Sequence, residues 1–282
     1  MAHALIRRLF EGRLPALAMF DLDGTLVDSV PDIARALDAT LAARGFEPAG
    51  SERVRHWVGR GSRNLVREAL AHAMDAAPEQ LAEDLLDEAL AFYLARYLEV
   101  CAGATTLMPG AAELLGSMRA ASVALACVTN KPIAITERLL GALLPDAGFA
   151  AVLGGDSGAG VKPAPGPLLA AIAKARTLPC AALMVGDSRH DVDAARERAG
   201  VRHEGEVGVD AARGLRAGAD LRDVAMGQGV VGIEVAVARR VVRALDGLAA
   251  GAGAAGDARD EQRRSAGARP RCAASSAHAR AG

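Results

Sequence analysis

Asp21 and Asp23 stand two residues apart at the end of an uncharged apolar run, Leu17 to Phe20, and Gly24 and Thr25 follow at once. If that run is a buried parallel strand, residues i and i+2 share a face, so both carboxylates project together from its carboxyl end. Gly24 permits a sharp turn, and Thr25 sets a hydroxyl beside the acids. Carboxylates so close repel each other unless a cation lies between them, and hard oxygen ligands suit magnesium. An ordinary strand-ending turn would also use Asp and Gly, so the pair needs partners elsewhere in the chain. Three further places offer them. Val123 to Val128 closes on Thr129-Asn130-Lys131-Pro132, where a hydroxyl and backbone N–H groups at a strand end can hold a phosphate oxygen. Lys162 sits in the Pro-flanked loop Val161-Lys162-Pro163-Ala164-Pro165 of a chain whose only other lysines are Lys131 and Lys174. Ala182 to Val185 ends in Gly186-Asp187-Ser188-Arg189-His190-Asp191.

Together these stretches resemble the four motifs of the haloacid dehalogenase (HAD) superfamily: DLDGTLVDS the first, Thr129-Asn130 the second, Lys-Pro-x-Pro the third and Gly-Asp-Ser-x-x-Asp the fourth. The resemblance implies a nucleophile at Asp21 and an acid/base at Asp23. It implies a magnesium ion held by Asp21, the Asp23 backbone carbonyl and Asp187, with Thr25, Ser188 and Asp191 arranged around them. Thr129, Asn130 and Lys162 would meet the phosphorylated substrate. Val27-Asp28-Ser29, Trp57-Val58-Gly59-Arg60-Gly61 and GGDSGAGVKPAPGPLL most resemble the bacterial phosphoglycolate phosphatases. That likeness, over residues 16 to 200, implies magnesium-dependent hydrolysis of 2-phosphoglycolate through an aspartyl-phosphate. A phosphatase or phosphomutase for another small sugar phosphate, and a non-catalytic remnant, are the alternatives. A phosphoryl-accepting receiver fits less well, because receivers carry no large insert after their first strand.

The elements that must hold these residues are a parallel α/β sheet interrupted once. After Ser29, a plausible helix N-cap, and Pro31, apolar residues recur at helical spacing at Ile33, Leu37, Thr40 and Leu41, and on through Val66, Leu70, Leu81, Leu86 and Leu94. No strand signal interrupts this pattern, which breaks at Gly45 and Pro78. The predicted architecture is a Rossmann-like core, residues 14–28 plus 105–215, with an α-helical cap inserted at 29–104. Within the cap, Gly59-Arg60-Gly61 reads either as a helix–helix turn or as a loop over the substrate. Arg60 could there grip a carboxylate with its fork.

Composition narrows the class. The chain has 282 residues, a net charge of −1, half its residues apolar and only 3% aromatic. Near-neutrality argues against a dedicated nucleic-acid binder. Four scattered cysteines give no zinc signature and suit a reducing compartment. No signal-peptide pattern opens the chain and no apolar run reaches membrane length, so a cytoplasmic enzyme acting on a small phosphorylated metabolite is predicted. The sequence does not choose between monomer and homo-oligomer. From Val201 the pattern expected of the family, another core strand, fails. Residues 216–282 form an Ala/Gly/Arg-rich tail that reads as disordered, and either a lineage-specific extension or a frame shift near residue 201 would produce it.

Overall fold

The structure, a computed structural model, describes residues 14–196 and 202–203. Strand β1 (Leu17–Phe20) is the centre of the sheet and fully enclosed. Leu17 and Met19 pack on one side of it, Ala18 and Phe20 on the other, as the two-residue period of a strand requires. β4 (Ala124–Val128) and β6 (Ala182–Val185) flank it in parallel register, with Leu17 opposite both Ala124 and Ala182. β5 (Ala151–Leu153) and β7 (Arg202–His203) extend the sheet to the order β5-β4-β1-β6-β7. Helices α5 (Ala111–Ala120) and α6 (Ile133–Leu143) cover the Phe20 face, and α7 (Gly166–Lys174) and α8 (Arg189–Arg196) cover the Met19 face. The fold is therefore α/β with a parallel core, as the alternating pattern predicts.

Between β1 and β4 the chain leaves this core. β2 (Val27–Asp28) and β3 (Thr106–Leu107) pair antiparallel, a two-stranded ribbon the sequence reading misses. Two residues are too few for either strand to show a period. Between them lie α1 (Val30–Ala42), α2 (Gly50–Trp57), α3 (Ser62–Ala73), a 3₁₀ turn at Pro78–Gln80 and α4 (Glu83–Val100). Ile33, Leu37, Thr40 and Leu41 all lie on the buried face of α1, as their spacing predicts. Arg63 bridges α3 to Glu83 and Asp87 of α4, and Arg67 joins the same cluster at Glu83.

Both entrances to the insertion are fastened by one carboxylate. Asp32, in the first turn of α1, accepts hydrogen bonds from the Ala104 and Thr105 N–H groups, from the Thr105 hydroxyl at 2.7 Å and from Arg35. Burial alone would raise the Asp32 carboxyl. The Thr105 hydroxyl, the Ala104 and Thr105 amides and Arg35 outweigh it and hold the group below the usual carboxylate range.

Two expectations need correction. Ser29 does precede α1, but its hydroxyl makes no cap; it donates to Asp23 Oδ1 at 2.5 Å, while Asp28 Oδ1 accepts the Val30 N–H. A helix N-terminus needs an acceptor oxygen, which Asp28 offers to Val30, while the Ser29 hydroxyl donates to the Asp23 carboxylate in a charge-assisted bond. Where the family pattern fails, β7 nevertheless pairs with β6, Arg202 opposite Leu183 and His203 opposite Met184. The readings of the 216–282 tail lie outside the described residues. No described helix is long and apolar enough to cross a membrane.

Candidate active site

The strand order reverses direction at β1, so the loops after β1, β4 and β6 diverge and leave a crevice at their carboxyl ends. Asp21 ends β1 inside that crevice. Its amide donates to the Val185 carbonyl, which fixes its height against β6. Gly24 turns the chain with φ +81°, and a Cβ there would lie 2.2 Å from Asp187 Oδ2, so glycine alone lets the two loops approach. Thr25 Oγ1 donates to Asp187 Oδ1 at 3.2 Å.

Lys162 is buried at the bottom of the crevice with its ammonium fully engaged. It lies 3.0 Å from Asp21 Oδ1 and 2.5 Å from Asp191 Oδ1, and donates to the Val128 carbonyl at 2.7 Å. Burial pulls this ammonium down, but Asp21 and Asp191 outweigh burial and hold it above the usual lysine range, so it remains charged. Asp191 is fixed in turn by the Ser188 amide and hydroxyl, at 3.0 and 2.6 Å on Oδ2. Gly186 makes room for it: a Cβ there would fall 2.3 Å from the Asp191 carboxyl carbon.

Asp21, Asp187 and Asp191 each present an oxygen within 4.8 Å of the others. Three carboxylates held this close need positive charge, and oxygen donors suit a hard divalent ion. Two observations fit a cation beside Asp21. Its Oδ1, though near Lys162, is the one buried side-chain polar atom among the described residues with no aligned hydrogen bond. Its carboxyl is also pushed up to about 6, chiefly by burial; Lys162 opposes the rise, and Asp191 and Asp23 add to it. A divalent cation would reverse that pressure. Asp191 joins this triad although the sequence reading sets it outside the metal shell. Its Oδ1 also meets Lys162 and its Oδ2 accepts from Ser188.

Asp23 points elsewhere. Its Oδ2 pairs with Lys131 Nζ at 2.9 Å and its Oδ1 accepts from Ser29. Lys131 Nζ donates to Tyr97 Oη at 2.7 Å, and burial holds the Tyr97 hydroxyl well above its usual range, so it stays protonated. A cavity opens over this group, lined by Asp21, Asp23 and Thr129 below and by Gly59, Gly61 and Ser62 above. Asn130 joins floor to roof: its amide donates to the Lys162 carbonyl at 2.9 Å and to the Gly59 carbonyl at 3.2 Å. The Asn130 side chain is thus occupied by backbone, while Thr129 faces the cavity. Arg60 is exposed and does not line it. Trp57 is half-buried, packed beside His72 with ring centroids 5.8 Å apart.

Lys131, Tyr97 and Ser62 escape the sequence reading as site residues. A signal for the first two existed: a chain with three lysines and two tyrosines keeps Tyr93 and Tyr97 one helical turn apart.

A parallel sheet with carboxylates and a buried lysine along one edge, roofed by an inserted helical bundle, defines a hydrolase of the HAD type. The family model for haloacid dehalogenase-like hydrolases matches residues 15–197, and the chain belongs to that family. It is 45% identical over 193 residues to a phosphoglycolate phosphatase of Pseudomonas putida, covering 67% of this chain and 68% of that one. It is 44% identical to phosphoglycolate phosphatase 1 of Pseudomonas aeruginosa, covering 68% and 70%. Among solved structures, a predicted phosphoglycolate phosphatase from Haemophilus somnus matches with a TM-score of 0.61 and 34% identity. That match covers 67% of this chain and 83% of the other.

Proposed function

We propose that this enzyme, a phosphatase by its relatives in the family, hydrolyses 2-phosphoglycolate to glycolate and phosphate with magnesium. The observation that carries the reading is Lys162, buried between Asp191 and Asp21, the latter a carboxylate that lines the cavity together with Asp23 and Thr129. An ammonium fixed there neutralises both a carboxylate nucleophile and an incoming phosphoryl group without reorganising. The high identity to named phosphoglycolate phosphatases supports the choice of substrate.

In this reading an Asp21 oxygen attacks phosphorus and the bond to the leaving oxygen breaks. The Asp23 carboxyl gives its proton to that oxygen, releasing glycolate. Water then attacks the aspartyl-phosphate and yields its proton to Asp23, which restores both carboxyl groups. Thr129 and Lys162 bind the phosphoryl oxygens. Magnesium, held by Asp21, Asp187 and the Asp23 carbonyl, would offset repulsion between carboxylate and phosphate. Uncatalysed phosphate-monoester hydrolysis is so slow that accelerations reach ~10²¹, and charge neutralisation is the main lever available. Residues 14–28 and 105–215 serve as the catalytic core and 29–104 as the cap. The Gly59–Gly61 loop reads the organic part of the substrate, and the setting is cytoplasmic.

The test is phosphate release from 2-phosphoglycolate and a panel of sugar phosphates, with and without magnesium. Strong preference for 2-phosphoglycolate, abolished by chelation and by Asp21→Asn, is the expected result. Preference for a different phosphate ester would overturn the substrate, and release undiminished in Asp21→Asn would overturn the nucleophile.

A further inference from the structure

The Asp23 carboxyl has no freedom to turn. Ser29 holds one oxygen at 2.5 Å and Lys131 holds the other at 2.9 Å. A lysine is an unusual choice for such a grip, because its four-carbon stem is flexible and its charge is costly to bury. Here both liabilities are removed by neighbours. The Lys131 amide donates to Thr129 Oγ1, and its carbonyl accepts the Gly155 N–H, so the backbone is fixed on both sides. The ammonium is anchored on Tyr97 Oη at 2.7 Å and lies 4.5 Å from the centre of that ring. Tyr97 is buried on α4 beside Tyr93, which lines the cavity along with Lys131. The chain therefore runs from the insertion, through Tyr97 and Lys131, to one specified oxygen of Asp23.

We propose that Lys131 and Tyr97 are positioning residues that aim the Asp23 carboxyl at the leaving-group oxygen. The proposal rests on the reading of Asp23 as proton donor. A merely structural ion pair would predict the same contacts, so the test must read proton donation itself. An alkyl leaving group needs a proton as its bond to phosphorus breaks, whereas p-nitrophenolate departs without one. The ratio kcat/KM covers binding through departure of the leaving group, and so isolates this step from hydrolysis of the aspartyl-phosphate.

The magnesium-loaded full chain is assayed with 2-phosphoglycolate, a simple alkyl phosphate and p-nitrophenyl phosphate. Tyr97→Phe, which removes only the hydroxyl, is the mild variant; Lys131→Met is the severe one, and Lys131→Arg the conservative one. General acid catalysis contributes roughly 10²–10⁴-fold, so a misaimed acid should lose about tenfold or more in kcat/KM on both alkyl esters and about twofold or less on p-nitrophenyl phosphate. Lys131→Arg should recover part of the loss, and Tyr97→Phe should add nothing to Asp23→Asn. Equal losses on all three esters in Tyr97→Phe, or none, would overturn the proposal while Asp23→Asn still discriminates among them. If Asp23→Asn itself fails to discriminate, the assignment of Asp23 falls first and the proposal with it. The carboxylate-free alkyl ester separates aiming from any direct contact between Lys131 and the substrate carboxylate: loss on 2-phosphoglycolate alone would also overturn the proposal.

Discussion

Asn130 and Lys162 hold each other's loops by a reciprocal pair of hydrogen bonds. The Lys162 N–H donates to Asn130 Oδ1 at 2.8 Å, and Asn130 Nδ2 returns a bond to the Lys162 carbonyl at 2.9 Å. The loops after β4 and β5 are therefore locked at the residue whose ammonium meets Asp21. Replacing Asn130 by Ala leaves a buried N–H and carbonyl unpaired, a loss of about 1–3 kcal/mol in stability. Because the Lys162 stem is then free to shift, kcat for 2-phosphoglycolate should fall by more than the melting temperature alone accounts for. Steady-state kinetics on the folded fraction, beside a thermal melt, checks this.

Gly24→Ala should act on the metal instead of on the fold's core. A Cβ at this position would meet Asp187 Oδ2 at 2.2 Å, and the backbone there is left-handed. Asp187 or the turn itself must then shift, so half-maximal activity should require at least about tenfold more magnesium, the scale seen when metal-ligand surroundings are disturbed. Titration of phosphate release against magnesium reads the shift. An unchanged midpoint would mean that Asp187 does not hold the ion.

Asp32 makes a pH prediction whose sign follows from its hydrogen bonds. Its folded carboxyl lies below the ordinary value, so its stabilisation is fully present above the unfolded pKa of roughly 3.9. That stabilisation is lost as pH falls through the lower folded value. Asp32→Asn should therefore cost about 1–3 kcal/mol near neutrality, through unpaired donors at Ala104 and Thr105. The gap between variant and wild type should shrink as acid protonates the wild-type group. Denaturant melts from pH 7 down to pH 3 would follow it, and a gap independent of pH would contradict the assignment.

Chelation gives the simplest forecast. Removing divalent ions should lower phosphate release by orders of magnitude without unfolding the chain, because Lys162, Asp191 and Ser188 hold one another without help from a cation. Circular dichroism beside the activity assay separates the two effects.

What was legible in the sequence was local. Asp21, Thr129 and Asp187 each end or follow an apolar run, and strand periodicity needs only a few residues to declare itself; Lys162 stood out instead as one of three lysines, in a Pro-flanked loop. The helical insertion was legible for the same reason, through Ile33, Leu37 and Leu41. What was hidden depends on contacts between distant segments. Nothing near Ser29 reveals that its hydroxyl serves Asp23 instead of capping α1. Nothing near Tyr97 reveals that it will meet Lys131. Asn130 was readable as a member of a phosphate-binding motif, yet its side chain braces Lys162 and Gly59, a role set wholly by the loops that surround it.

β1 lies at the middle of the sheet, yet it precedes every other strand among the described residues. Neither of its neighbours begins until Ala124 and Ala182. The emerging chain must carry an apolar strand with two unpaired edges while the insertion, built from local helices, can already form. A nascent or truncated chain that stops before Ala182 would hold Asp21 on a half-paired strand, with α7 but not α8 on the Met19 face. Such an exposed edge invites pairing with another copy. Placing Asp21 at the end of the central strand thus defers the assembled site until β6 has been made. It also makes protection of β1 during synthesis a demand on the cell that expresses this protein.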